Sequence, residues 1–575
     1  MAENKLFRKK SISSILTNST SENGMKRELR VVDLTALGIA AIVGAGIFST
    51  IGNAAASGGP AVSMLFIFTA IACGFSALAY AQFASAIPVA GSAYTYAYAS
   101  FGELMAWIIG WDLIMEYSVG NIAVAISWSE YFTTMLSGTG INLPAWMCTD
   151  YVSAMRGFKD AAEQIAAGIP LDQLSRSLQE AFTAWNTAPS IAGIRLIADI
   201  PAFSIVVFIT ILVYVGVKET RTAGNLMVLI KLLILALVII TGVFFVNTDN
   251  WVPFAPHGAT GVLSGVAAVF FAYIGFDAIS TTAEEARNPK RDLPRAMIYA
   301  LLITTAIYVM ISLVLTGMIP SNQLGVADPL AYAFEALNLK WLTGIISVSA
   351  IIAMAGVLLV FQYGQPRIWM SMSRDGLLPR KFSTLHPKFK TPGFSTIITG
   401  VIVAIPSLFL NLTEVTDLTS IGTLFAFLLV SGGILILDPY GEGFKSRTGG
   451  FVVPYFNSRY WLIPILIACI YALYHFAGDS NFLAQWIDGN RFQLPWNELK
   501  HLLPELVFLI LAAILTVLSS IKKWSLIPVL GLLTNGYLIA QLGIINWMRF
   551  IIWLVVGLVI YFTFGKRHSI LSKPK

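Results

Sequence analysis

Apolar runs of roughly twenty residues recur along most of the chain, separated by short polar or basic segments. Their positions predict about fourteen membrane-spanning helices, near 33–57, 61–86, 102–136, 196–216, 220–246, 260–286, 296–318, 341–373, 394–411, 418–437, 459–477, 502–520, 524–542 and 545–565. The fold class is therefore all-α integral membrane. The longest polar interruption, 138–195, carries charges, prolines and amphipathic patterns such as Leu171–Trp185. It reads as an extracellular or periplasmic insertion with about two short helices. A second polar stretch, 479–501, falls on the same side.

Two spans are interrupted. The first contains Ile42-Val-Gly44-Ala-Gly46-Ile47-Phe48, with two glycines in mid-span. The sixth contains Phe270-Phe-Ala-Tyr-Ile-Gly275-Phe-Asp277, a glycine and an acid at similar depth. Interruptions in corresponding positions point to two inverted five-helix repeats with a site at the membrane midplane. A broken helix frees N–H and C=O groups, which in lipid need a cavity, an ion or a substrate as partner. A carboxylate suits the N–H ends and an ammonium suits the carbonyls. Close helix packing through small residues, or a simple kink, would produce the same glycines.

Lys231 lies in an apolar helix, Asn225 to Ile240. The nearest polar loop, Lys218-Glu-Thr-Arg221, is about ten residues back, or roughly 15 Å. The stem cannot snorkel that far, so the ammonium lies near mid-membrane, where charge is costly and tied to a pathway, a partner or a proton. Asp112 and Glu116 are four apart on the third span and share a face. Glu116 is near mid-depth, a counter-charge for Lys231 or for a basic substrate. Asp112 is nearer the cytoplasmic end, an interfacial or structural acid, and Glu130 lies near the outer surface.

Composition agrees. Of 575 residues, 56% are hydrophobic and 12% charged, half the charge of an ordinary soluble chain. The net charge of +6 is spread in a way that excludes a nucleic-acid patch. Lys and Arg gather in the N-terminal tail, at 218–221, 287–295, 367–390, 445–459, 522–523 and in the C-terminal tail. These segments alternate with poor ones such as 247–258 and 319–326, which places both termini in the cytoplasm. The first 30 residues are Ser- and Lys-rich and read as a disordered cytoplasmic tail, not a signal peptide. Cys73, Cys148 and Cys469 are far apart, and the five histidines (His257, His386, His475, His501, His568) are scattered. No metal, cofactor or catalytic constellation is expected, so an enzyme is disfavoured.

Three stretches resemble one family. Val43-Gly-Ala-Gly-Ile-Phe48 resembles the first-helix signature of the amino acid–polyamine–organocation (APC) superfamily. Phe270 to Glu285 with Asn288-Pro-Lys-Arg-Asp-Leu-Pro294, and Gly364 to Pro379, are similar to its cationic amino acid transporter branch. The resemblance spans roughly 31–440. It implies a ten-helix inverted-repeat transport core there, with 441–575 adding further membrane helices and a short cytoplasmic tail. The 138–195 insertion departs from the family's usual short loop.

The resemblance also implies roles. Backbone at Ile42, Gly44, Ala45, Gly46 and Ile47 would hold the substrate's carboxylate and amino groups. Phe271, Ala272 and Ile274 would line the same pocket, although ordinary packing also explains such residues. Lys231 matches the fifth-helix lysine that proton-coupled relatives carry in place of a bound sodium; a structural salt bridge is the rival. Asp277 either faces the pocket or caps the following half-helix. Ser349 and Met354 lie at pocket depth, and Met354 matches a position that controls pocket width, or fills a gap. Glu284 and Glu285 could pair with Arg287, Arg291 or Arg374 as an inner gate.

The expectation is a permease of the plasma (inner) membrane, proton-coupled through Lys231 and Glu116. It would be sodium-independent and would move cationic or small neutral L-amino acids by alternating access. Its partners are an amino acid, protons and the bilayer. An exchanger without proton coupling and an amino-acid-sensing receptor are the alternatives.

Overall fold

In a computed structural model, residues 8–10, 29–89, 92–191, 193–216, 221–283, 285–389, 391–440, 450–476 and 502–572 are described. The stretch 479–501 and most of the N-terminal tail lie outside them.

Helix follows the apolar runs. Among the described residues seven helices are long and apolar enough to cross a membrane, including Asn225–Val243, Pro289–Met318, Lys340–Arg374 and Leu412–Leu437. Five shorter apolar helices join them, among them Val31–Ile42, Ile200–Val215 and Gly393–Ser407. The protein is a multi-pass, all-α membrane protein. Its longest helix, Glu103–Gly138, packs against Lys340–Arg374 and Leu412–Leu437. Pro289–Met318 packs along Val62–Ala86 and Val31–Ile42.

Local chemistry sets the ends. Asp199 caps Ile200–Val215 by accepting the Ala202 N–H at 3.0 Å, with Pro201 in the first turn. Asn411 accepts the Thr413 N–H at 2.9 Å, so the helix from Leu412 starts six residues before the apolar run at 418. The helix expected from 296 begins at Pro289, because a proline in the first turn removes only an N–H that has no partner there. Two short helices, Ser92–Ser100 and Pro329–Ala336, lie between the expected spans.

The insertion forms helices Tyr151–Ala166 and Arg176–Thr187 and a two-stranded ribbon, Ser190–Ile191 with Ile194–Arg195. The two helices meet where Gly157 faces Ala181 and where the Phe158 ring stacks on Phe182 and Trp185. Near the other end of the chain, Ile544–Ile560 is riveted to the third span. The Trp107 and Trp111 indoles donate to the Gly557 and Trp553 carbonyls, both at 2.9 Å, and Trp111 stacks on Trp553 at 4.6 Å.

Candidate functional site

The first span breaks between Val31–Ile42 and a π-helical turn, Gly46–Thr50, which leads into Ile51–Gly58. Val43 at the break is extended. The carbonyls released there are taken up by side chains from elsewhere. The Tyr308 hydroxyl donates to the Ile42 carbonyl at 3.0 Å. The Tyr131 hydroxyl donates to Phe48 O at 2.5 Å, and Thr50 donates to Gly46 O and Ala268 O at 2.9 and 3.0 Å. The Lys231 ammonium, 3% exposed, reaches the Ala40 and Val43 carbonyls, each at 3.4 Å. A cation thus sits at the carbonyl end of Val31–Ile42, where the helix dipole favours it.

The sixth span breaks after Val266–Phe271 and resumes as Ala278–Thr281. Gly275 has φ +118°, a conformation that side chains rarely adopt. It lies against the Ala41 backbone, where a Cβ would come within 2.9 Å. Gly46 is closer still to Ala272, so the two breaks touch at two glycines. Asp277 lies against the amides of Gly275, Asp277 and Ala278 at the start of the resumed helix.

Between the breaks is a small, partly open cavity of about 10 Å3 lined by Ala41, Ile42, Gly44, Ala45, Gly46, Val124, Phe271, Ile274, Val357 and Phe361. Two interrupted helices that meet at a small cavity, with a buried ammonium at a helix end, are the elements from which a carrier of a small zwitterion is built.

Comparison with known proteins gives the class. A family described as Amino acid permease matches residues 29–487, and its C-terminal model matches 526–569. The chain belongs to the amino acid permease family. It is 36% identical to the branched-chain amino acid permease BcaP of Bacillus subtilis, over 99% of both chains. It is 35% identical to a methylthioribose transporter of the same bacterium, again over 99% of both. A vacuolar cationic amino acid transporter 4 of Arabidopsis thaliana is 30% identical, over 99% of this chain and 97% of its own. The protein is an amino acid transporter of the APC superfamily and not an enzyme.

Of the residues singled out in the sequence, the permease brings Ile42, Gly44, Ala45, Gly46, Phe271 and Ile274 together around the cavity. Ile47, Ala272 and Met354 are buried nearby but are not part of its lining. Val124, Val357 and Phe361 line it and carry no signal in the sequence, being ordinary apolar residues on long buried helices.

The acids gather away from the lining. Glu116 is 1% exposed and has Asp277 and Asp112 as its charged neighbours, with the Thr423 hydroxyl beside it. Asp112 is wholly buried against Gly422, and neither carboxylate oxygen has a hydrogen-bond partner. Ser349 is buried with its hydroxyl unpartnered. Of the expected inner-gate groups, Glu284 lies outside the described residues. Glu285 and Arg287 bridge to Leu29 through their backbones, and Arg291 pairs with Asp292 at 3.1 Å. Lys10 forms an ion pair with Asp375, at 2.6 Å.

Proposed function

We propose that this permease carries small neutral amino acids with apolar side chains, coupled to protons and without sodium, by alternating access. The side-chain lining of the cavity carries the reading. Ile42, Val124, Phe271, Ile274, Val357 and Phe361 are all apolar, and Asp112, Glu116 and Asp277 stand outside them. A guanidinium placed there would lose water and find no carboxylate. A valine or leucine side chain would gain roughly 25 cal/mol per Å2 of apolar surface removed from water. The relative named for branched-chain substrates points the same way. The relatives named as cationic transporters point the other way, and the apolar walls favour the first.

Proton coupling rests on Lys231. Charged, its ammonium joins the inner half of the first span to the helix Arg221–Val243 through Ala40 and Val43. Deprotonated, it loses most of its hold on those carbonyls, and the inner half-helix is released. The breaks in the first and sixth spans fit two inverted five-helix repeats within 31–440, with the substrate at their interface. The distribution of basic loops supports both termini in the cytoplasm and the 138–195 insertion outside, in a plasma or inner membrane.

Uptake of radiolabelled leucine into proteoliposomes tests this. Accumulation is expected under an inside-alkaline gradient in the absence of sodium, with valine and isoleucine competing and arginine not. Competition by arginine but not by valine would overturn the substrate assignment. Exchange indifferent to the gradient would replace symport with antiport, and binding without accumulation would favour a sensor.

A further inference from the structure

The 138–195 insertion has a role that transport alone does not assign. One of its helices is anchored to the frame of the protein. Arg156 pairs with Glu414 at 3.2 Å, and Ser153 is hydrogen-bonded by the Asn411 amide. The chain leaving the insertion is tied down as well: the Asp199 N–H donates to Leu408 O at 3.0 Å, and Ser129 donates to the Asp199 carboxylate at 2.6 Å. Its other helix reaches elsewhere. Arg176 lies 3.3 Å from Glu335 and 3.9 Å from Asp328, and its own-helix partner Glu180 is 2.8 Å away.

Asp328 and Glu335 bracket the short helix Pro329–Ala336. That helix packs on the π-helical turn Gly46–Thr50 of the broken first span. Pro329 comes so near Gly52 that a Cβ there would lie 3.0 Å away. The short helix therefore covers the outer half of the element whose break forms the cavity.

We propose that the insertion is a clamp on this lid: Arg176 holds Pro329–Ala336 down on the outer half-helix, and the lid must leave Arg176 each time the cavity opens to the insertion's face. A frame-anchored helix on one side and a cavity-covering helix on the other, joined through a single guanidinium, make a latch rather than a mere ornament of the loop. The inference does not depend on which amino acid is carried.

The latch is linked to protons. Asp328 is 4% exposed. The groups facing it are Arg176 and Glu180 from the insertion, Glu335 at the far end of the lid helix, and Thr134, Tyr131 and Glu130 from the third span. Burial pushes the Asp328 carboxyl up to about 6; Glu180 and Glu335 push the same way, and Arg176 and Thr134 oppose them. An opened lid returns the group to water and to its ordinary value near 3.8. The closed form thus binds the proton more tightly, so acid on the insertion's face favours closure and alkali favours opening.

Hydrogen exchange on the full-length permease in nanodiscs, corrected for the intrinsic effect of pH, reads the lid directly over residues 324–337. At pH 7.5, Arg176→Gln is expected to raise exchange there about three- to fivefold, as loss of a half-buried ion pair should. Arg176→Lys should restore much of the protection. Arg156→Gln, which cuts one of several frame anchors, should raise exchange over 324–337 far less. In the native protein exchange should fall between pH 7.5 and 5.5, and Asp328→Asn should be protected at both. Native protection of 324–337 in Arg176→Gln, or an equal rise in Arg156→Gln, overturns the clamp. Protection that ignores pH in the native protein overturns the proton linkage.

Discussion

A Cβ added to Gly46 would fall 2.3 Å from the Ala272 Cα, which makes this contact the tightest point between the two broken helices. That neighbour is backbone, which cannot turn aside as the tip of a flexible side chain can. Gly46→Ala should therefore push the sixth span away and cost about 1–3 kcal/mol of local strain. Leucine uptake should fall by about tenfold or more, while the detergent-solubilised protein still elutes as a single species. Uptake at the native rate would show that the two breaks need not touch.

Lys231→Ala removes the donor to the Ala40 and Val43 carbonyls. Each carbonyl left without a partner in a buried site costs about 1–3 kcal/mol, within what a protein of this size tolerates. Folding should survive and pH-driven uptake should vanish. An unchanged response of leucine uptake to an imposed pH gradient would remove the lysine from the coupling mechanism and leave the family assignment untouched.

Glu116→Gln keeps the shape of the side chain and removes its charge. One Glu116 oxygen has no hydrogen-bond partner, although it is buried among Asp112, Asp277 and Thr423. A structural acid would tolerate the amide; an acid that exchanges a proton would not. Transport should fall for alanine and leucine alike. Full activity toward both alanine and leucine would assign Glu116 a packing role.

Phe361 stands at the cavity edge, its ring 5.2 Å from Tyr117 in an edge-on contact. Phe361→Ala should enlarge the space for the substrate side chain. Valine should then compete about tenfold less well, the size of effect a misfitted apolar pocket gives, and phenylalanine should become a competitor. An unaltered competition order would place the selecting surface elsewhere.

The sequence announced the breaks because glycine and an acid stand out in apolar helix, as Gly44, Gly46, Gly275 and Asp277 do. It announced Lys231 for the same reason. It did not announce Val124, Val357 or Phe361, since an apolar residue facing a cavity and one facing a neighbouring helix look alike. Rise along a helix gives the distance of Asp112 from an end, not what packs around it; Gly422 on another span closes that site. Ser92–Ser100 and Pro329–Ala336 are too short for their periodicity to rise above a loop. The short lid helix is nevertheless what the insertion grips.

The indole contacts between the third span and Ile544–Ile560 bear on how the chain matures. Trp107 and Trp111 are synthesised some 440 residues before the carbonyls that receive them. Until those acceptors emerge from the ribosome, two N–H groups on an early helix stand without their final partners in or beside hydrocarbon. A chain truncated ahead of residue 544 would keep that helix and lose its closing seam, so a segment made late seals one made early.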